Sequence, residues 1–362
     1  MKVVTVVGNR PQFVKAAAVS PLLRAAHEEV LVHTGQHYDD ELSGIFVREL
    51  AMPLPERQLA LGTGTNTEQT ARMLAALAPI LEAEEPDAVL VYGDTNSTLA
   101  AGLAAAQAGV PVAHVEAGMR SFDRRMPEEL NRVLTDHLSS LLLCSTRTAM
   151  DNLVREAVVG RSELVGDVMA DVSALIRPRA AADDAPLERA GVAPGTYLLA
   201  TAHRAGNVDD PARLAALVDV LLAAAAPDRP VVLPLHPRTH ARLRTTGLLR
   251  RLEDAPDVRL LPPLGYVEFT ALLVRARAVL TDSGGVQKEA YLAGIPCVTL
   301  RDTTEWVETI DVGWNVLVDL DAAAATAALE RPTPQAHPDL YGDGRAGERV
   351  VAALAALASP TS

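Results

Sequence analysis

The chain has 362 residues, enough for two domains of ordinary size, with 49% hydrophobic but only 3% aromatic residues. A core of Ala, Leu and Val suits helices on parallel strands and argues against an aromatic-rich β-sandwich. The formal charge of −13 argues against a nucleic-acid partner, because a polyphosphate backbone needs a basic face.

The predicted elements alternate from the start. Lys2–Val7 reads as a strand ending at Gly8-Asn9-Arg10-Pro11, followed by one helix from about Gln12 to Ala26. Glu29–Thr34 is a strand, Asp39–Leu50 a helix, Met52–Gly64 a loop and Asn66–Glu84 a helix. Asp87–Tyr92 is a strand that ends at Gly93-Asp94-Thr95, and Asn96–Ala108 is helical. Pro111–Val115 is a short strand and Glu116–Met126 a polar loop, with Pro127 opening a helix to about Leu138. Leu141–Cys144 is a strand and Thr146–Glu156 a helix. After a Pro/Ala/Asp-rich stretch from Arg177 to Gly195, strands recur at Tyr197–Thr201, Pro230–Pro234, Val258–Leu261, Ala278–Thr281 and Pro296–Leu300. Helices lie between them, and the last helix runs from about Gly344 to Leu357. This alternation predicts an α/β fold of two Rossmann-like, doubly wound domains joined near Gly166–Val172.

Cys144 and Cys297 each sit in an apolar run, which predicts two buried thiols in a reducing compartment. Met1-Lys2 leads directly into a strand without a signal-peptide pattern, and no apolar run approaches the ~18 residues of a membrane span. The expectation is a cytoplasmic, soluble protein with no membrane partner.

Ligands of open parallel sheets bind at the carboxyl ends of the strands. The polar groups there are Gly8-Asn9-Arg10, Gly35-Gln36-His37, Gly93-Asp94-Thr95, His114-Val115-Glu116-Ala117-Gly118, His203-Arg204, His236-Pro237-Arg238 and Asp282-Ser283-Gly284-Gly285. The last is followed by a helix read as Val286–Ala293, and such a turn aims backbone N–H groups and a helix dipole at one point suited to phosphate. Ser283 adds a hydroxyl, Gly284 and Gly285 allow close approach, and Glu289 lies within reach of a ribose diol. Each group has a plainer reading. Asp94 suits the cap of a helix starting at Thr95, one of Glu128 and Glu129 suits the helix dipole, and His203-Arg204 suits a salt-bridged turn. A metal reading is weak, with no HExxH or CxxC spacing, and Gly8-Asn9-Arg10-Pro11 lacks the glycine spacing of a dinucleotide site. What remains is acid–base chemistry by carboxylates on a group attached to a nucleotide, in a cleft between the two domains.

In order along the chain these motifs, with Pro127-Glu128-Glu129-x-Asn131-Arg132 and Arg301-Asp302-Thr303-Thr304-Glu305, resemble the non-hydrolysing UDP-N-acetylglucosamine 2-epimerases. The resemblance implies a GT-B-like fold with the active site in the interdomain cleft, usually a homodimer, and no cofactor or metal. It implies a domain over residues 1–168 with the catalytic carboxylates, a UDP-binding domain over 169–343, and a helix over 344–362 able to pack back on the first domain. It also implies inversion at C2 of UDP-N-acetylglucosamine to UDP-N-acetylmannosamine, by loss of UDP to 2-acetamidoglucal and re-addition. Asp94, Glu116, Glu128 and His203 match the catalytic set. Arg10, Lys15 and Arg204 match the groups that hold diphosphate or glucal. Ser283, Gly284, Gly285 and Glu289 match the UDP site, His236 and Phe269 its nucleotide side, and Arg132 a support for the carboxylates. For Phe269 the plain alternative is a core position of the helix Val267–Val274. The chain departs from many members at Gly206, at Trp306-Val307 and at Tyr38-Asp39-Asp40, where activated members carry a second glutamine. Arg10-Pro11-Gln12-Phe13 and Thr304-Glu305-Trp306 also resemble the branch acting on UDP-2,3-diacetamido-2,3-dideoxyglucuronate. A glycosyltransferase on the same fold, a hydrolysing epimerase and a nucleotide-sugar sensor are competing readings of the same residues.

Overall fold

Seven strands follow one another in parallel in the first half of the chain and six in the second, each set forming its own sheet. The computed structural model describes residues 1–36 and 52–358, without the side chains of Arg10 and Ala358. His37 and the helix expected over Asp39–Leu50 lie outside the described residues. The chain divides into two units, Met1–Ala174 with the segment from Asp339, and Leu175–Pro338.

In the first unit the strands are β1 (Lys2–Val7), β2 (Glu28–His33), β3 (Arg57–Gln58), β4 (Ala88–Tyr92), β5 (Val112–Ala117), β6 (Leu141–Cys144) and β7 (Arg161–Leu164). Their order is β3-β2-β1-β4-β5-β6-β7. The direction of winding therefore reverses between β1 and β4, and a crevice opens at their carboxyl ends. Helix Asn96–Gln107 lies against helices Asn66–Glu84 and Pro127–Leu138. Its buried Ala100, Ala101, Ala104 and Ala105 keep it slim, and a Cβ on Gly102 would already sit 3.5 Å from Thr135 Cγ2. The last helix, Ala346–Ala358, belongs to this unit. Asp171 accepts the N–H groups of Ala346 and Gly347 at 3.0 and 2.7 Å, and Arg161 donates to Ala353 O at 2.9 Å.

The second unit holds β8 (Leu198–Thr201), β9 (Val231–Pro234), β10 (Val258–Leu261), β11 (Ala278–Thr281), β12 (Cys297–Thr299) and β13 (Asn315–Leu317), in the order β10-β9-β8-β11-β12-β13. Here the switch point lies between β8 and β11. Leu198, Leu233 and Leu280 enter one apolar cluster, whereas their neighbours Leu199, Val232 and Val279 enter another. Side chains alternate across a strand, so both faces of this sheet are covered, and continuous apolar runs are the natural sequence for it.

Several expected boundaries shift. The first helix is two, Arg10–Ala17 and Ser20–Ala26, because Pro21 has no N–H to offer the carbonyl of Ala17. Strand β5 continues through Glu116 and Ala117, which were expected in a loop. The stretch from Arg177 to Gly195 contains the end of helix Val168–Ala181 and the helix Ala185–Ala190. β3, β7 and β13 were not expected. All are short edge strands without a run of apolar residues, which is how sheet edges are commonly built.

Both cysteines are free and buried, and burial pushes each thiol up to about 12. At about pH 8 the reactive thiolate is therefore scarce in the native state. Titration with an aromatic disulfide reagent should find no fast-reacting thiol in the folded protein and two after denaturation in urea.

Candidate functional site

At the carboxyl end of β1 a side chain on Gly8 would collide with Ser97 Oγ at 1.9 Å and Thr34 Oγ1 at 2.5 Å. Buried Gln12 joins this exit to that of β4. It accepts from Gly8 N at 2.7 Å and donates to Tyr92 O at 2.7 Å and Thr98 Oγ1 at 2.8 Å. Lys15, one turn on, forms an ion pair with Glu116, and the two side chains are only 14% and 10% exposed. Both lie over Gly93, whose φ of 62° turns the chain out of β4, and a Cβ there would sit 3.1 Å from Lys15 Nζ and 3.3 Å from Glu116 Oε2.

Glu116 itself has a φ of 71°, in the left-handed region that costs a residue with a Cβ about 1 kcal/mol or more. The β5–β6 register shifts between Val115 and Ala117, so Glu116 is the extra residue of a bulge. A bulge re-aims a side chain that a regular strand would point into the sheet's packing.

Asp94 does not cap the next helix. Thr95 does, in a reciprocal capping box with Thr98, and the helix starts at Asn96. Asp94 instead receives Arg132 Nη2 at 2.5 Å and stays 35% exposed. Arg132 also holds Glu129 at 2.8 Å, and Asn131 donates to Asp94 O at 3.0 Å. Glu129 is buried and accepts the N–H groups of Ser121 and Phe122 at 2.9 Å each. Of the two acidic residues at this helix start, Glu129 orders the loop and Glu128 is exposed. Lys15, Asp94, Glu116, Arg132 and their backbone supports are thus brought together at the β1–β4–β5 exits. The Arg10 side chain lies outside the described residues.

In the second unit the cradle helix starts at Gly284 rather than Val286, so both glycines belong to its first turn. Neither has a positive φ. A Cβ at position 284 would fit at ordinary contact distance, 3.4 Å from both Glu305 Oε2 and Trp306 Nε1 and 3.8 Å from Arg204 Nη2, so glycine there leaves a small gap facing these three side chains. Ser283 is the N-cap residue, but its side chain makes no capping bond. Glu289 is half-buried on the second turn. Glu305 is held by Arg301 through a fork at 3.0 and 3.1 Å and lies 3.7 Å from Arg204. Burial raises the Glu305 carboxyl, but the bonds and charge of Arg301 and the charge of Arg204 outweigh it, leaving the group below its ordinary value. Lys288, also buried, lies 4.2 Å from the centre of the Trp306 ring.

Asp282 is fully buried, and its task is internal. Its carboxylate accepts from His203 N at 3.1 Å, Arg204 N at 3.0 Å and Asn207 Nδ2 at 3.2 Å, fixing the turn that carries His203 and Arg204. The His203 ring stacks on His236 with centroids 5.3 Å apart. His236 Nδ1 accepts the N–H of Arg238 at 3.2 Å, which leaves Nε2 as the donor of the neutral ring. Phe269 is half-buried against the apolar cluster of Leu261, Leu264 and Leu272. The roles of Asp282, Glu129 and Gln12 were not read from the sequence. A polar residue at the inward position of a helix or beside a strand end is the signal they share.

A model of the UDP-N-acetylglucosamine 2-epimerase family matches residues 22–355. This chain belongs to that family. It is 46% identical to the UDP-2,3-diacetamido-2,3-dideoxy-D-glucuronate 2-epimerase of Pseudomonas aeruginosa, over 99% of this chain and 100% of that one. It is 40% identical to the UDP-N-acetylglucosamine 2-epimerase of Methanocaldococcus jannaschii, over 98% and 99%. A crystal structure of a UDP-GlcNAc 2-epimerase from M. jannaschii, in complex with UDP-GlcNAc and UDP, superimposes with a TM-score of 0.91 at 38% identity, covering 98% of this chain and 100% of that one. Among the described residues no cluster of side chains suits a metal ion, and no helix is long and apolar enough to cross a membrane.

Asp282→Ala leaves two backbone N–H groups and an amide without their buried acceptor. It should lower the free energy of unfolding by about 3 kcal/mol in urea titrations, with Asp282→Asn intermediate because one oxygen remains.

Proposed function

We propose that the chain interconverts UDP-N-acetylglucosamine and UDP-N-acetylmannosamine without hydrolysis. The observation that carries this reading is the Lys15–Glu116 pair beside Asp94 and Arg132, in a family whose members are 2-epimerases. The proton at C2 of the sugar is weakly acidic. Its removal needs a placed base while the departing diphosphate is stabilised. In the forward half-reaction the C2–H and C1–O bonds break, C1=C2 forms, and UDP leaves with the bonding pair. In the return, C2 takes a proton on the opposite face and C1–O re-forms. Two faces require more than one acid–base group, and Asp94, Glu116, Glu128 and His203 are the proposed set. Gly284, Gly285 and Ser283 are proposed to hold the diphosphate with Arg10, Lys15 and Arg204. Glu289 is proposed for the ribose, with His236 and Phe269 on the nucleotide side. The enzyme is proposed to act as a cytoplasmic homodimer, as its family resemblance implies.

A second substrate, UDP-2,3-diacetamido-2,3-dideoxyglucuronate, is favoured by the 46% identity to the P. aeruginosa enzyme. The chemistry at C1 and C2 is the same for both. Turnover of each sugar in deuterated water separates the two substrates and tests the reaction. Deuterium should enter C2 of the epimerised product, and a pure enzyme that exchanges neither sugar contradicts the proposal. Glu116→Gln should slow this exchange by about 100-fold or more and leave UDP affinity within about threefold. Gly284→Val fills the space in front of Glu305 and Trp306 and should weaken UDP binding about tenfold or more by calorimetry.

A further inference from the structure

His114 stands two residues before Glu116 on β5, and its side chain is fully buried. Its Nδ1 lies 2.7 Å from Asp136 Oδ1 and its Nε2 lies 2.7 Å from Gly93 O. A carboxylate and a carbonyl only accept hydrogen bonds, whereas a neutral imidazole has one N–H. Both contacts are satisfied together when both ring nitrogens carry hydrogen. Asp136, fully buried on helix Pro127–Leu138, also accepts Gly118 N at 3.0 Å and Arg120 Nη1 at 2.7 Å. Arg120 is closed off by Glu156 at 2.8 and 2.6 Å. Asp136 thus accepts from three groups, the His114 ring, Gly118 N and Arg120.

The arrangement is a clasp. Asp136 holds β5 on both sides of Glu116, through the His114 ring before it and the N–H of Gly118 after it. The far side of the same ring holds the carbonyl of Gly93, from which Asp94 emerges. A residue with a Cβ stays in the left-handed region only where its surroundings over-determine it. Here the bulge at Glu116 is tied at both ends to one buried carboxylate.

We infer that His114 donates from both ring nitrogens at once and is, with Asp136, a positioning residue that holds Glu116 in its strained conformation and sets the Asp94 turn beside it. The role given to Glu116 rests on the epimerase reading above; the two donations of the ring do not. Other groups around the ring support the assignment. The Asp136 carboxyl is pushed up by burial, but His114 and Arg120 together bring it below its ordinary value, so it stays an acceptor. The Cys144 thiol, on the neighbouring strand, is held protonated by burial.

Neutron diffraction from deuterated wild-type crystals grown at about pH 8 reads the ring directly. Deuterium is expected on both nitrogens of His114, because each faces an acceptor at 2.7 Å. A ring bearing one deuterium overturns the inference, whatever the variants do. His114→Asn should reduce kcat for C2 exchange about hundredfold, with KM and the Kd for UDP within about threefold of wild type. An unchanged kcat overturns the positioning role, as does a parallel loss of UDP affinity, which marks general damage to the unit. Should the variant not fold, the neutron result on the wild type decides. Wild-type enzyme that exchanges neither sugar counts against the epimerase reading, while the deuterium on His114 still decides the clasp.

Discussion

A fully buried carboxylate that accepts backbone N–H groups at a strand exit is the device on which both units depend. Asp136 takes Gly118 N beside Glu116, and Asp282 takes His203 N and Arg204 N beside the cradle helix. A parallel sheet leaves its strand ends unpaired at the switch point, where the loops diverge. Loops there would be mobile without an anchor. A buried anion is costly unless it is surrounded by donors, and once surrounded it fixes the geometry of every donor it holds. The cost of burying the charge is thereby turned into precise loop placement. In each unit the anchor lies beneath residues proposed for chemistry and is not itself assigned a contact with the substrate.

The two units apply the device to opposite ends. In the first it sustains a strained backbone and sets carboxylates beside one another, with Lys15 against Glu116 and Arg132 against Asp94. In the second it presents a histidine and an arginine next to a helix whose first turn is Gly284-Gly285. A base must be aimed at one carbon, so its support is rigid and its conformation strained. A diphosphate is larger and more forgiving, and a helix dipole with arginine side chains is the proposed means of holding it.

Much of this was legible in the sequence, for physical reasons that also explain what was not. The runs Leu141–Cys144, Val258–Leu261 and Ala278–Thr281 are strands flanked by helices, and their expected boundaries match those observed. The edge strand Arg161–Leu164 is polar because it is half-exposed, so its pattern carries no strand signal. The motif residues Lys15, Asp94, Glu116 and Arg132 stand together, but their contacts follow from tertiary geometry. Reading Asp94 as a cap fails because Thr95 offers an equally good hydroxyl one residue closer to the helix. Assigning Glu116 to a loop fails because a bulge keeps it in the strand while turning it out. Asp136, His114 and Asp282 carry the supports, and a buried hydrogen bond between residues 22 positions apart leaves no periodicity to read.

In the proposed reaction UDP parts from the sugar and is held while C2 is inverted. Positional isotope exchange follows that event itself, with oxygen-18 placed in the bridge between C1 and the β-phosphorus. A held but free UDP can rotate its terminal phosphate, so the label should scramble between bridging and non-bridging β-oxygens as epimerisation proceeds. Deuterium entering C2 while the label stays wholly in the bridge would show that the C1–O bond never breaks.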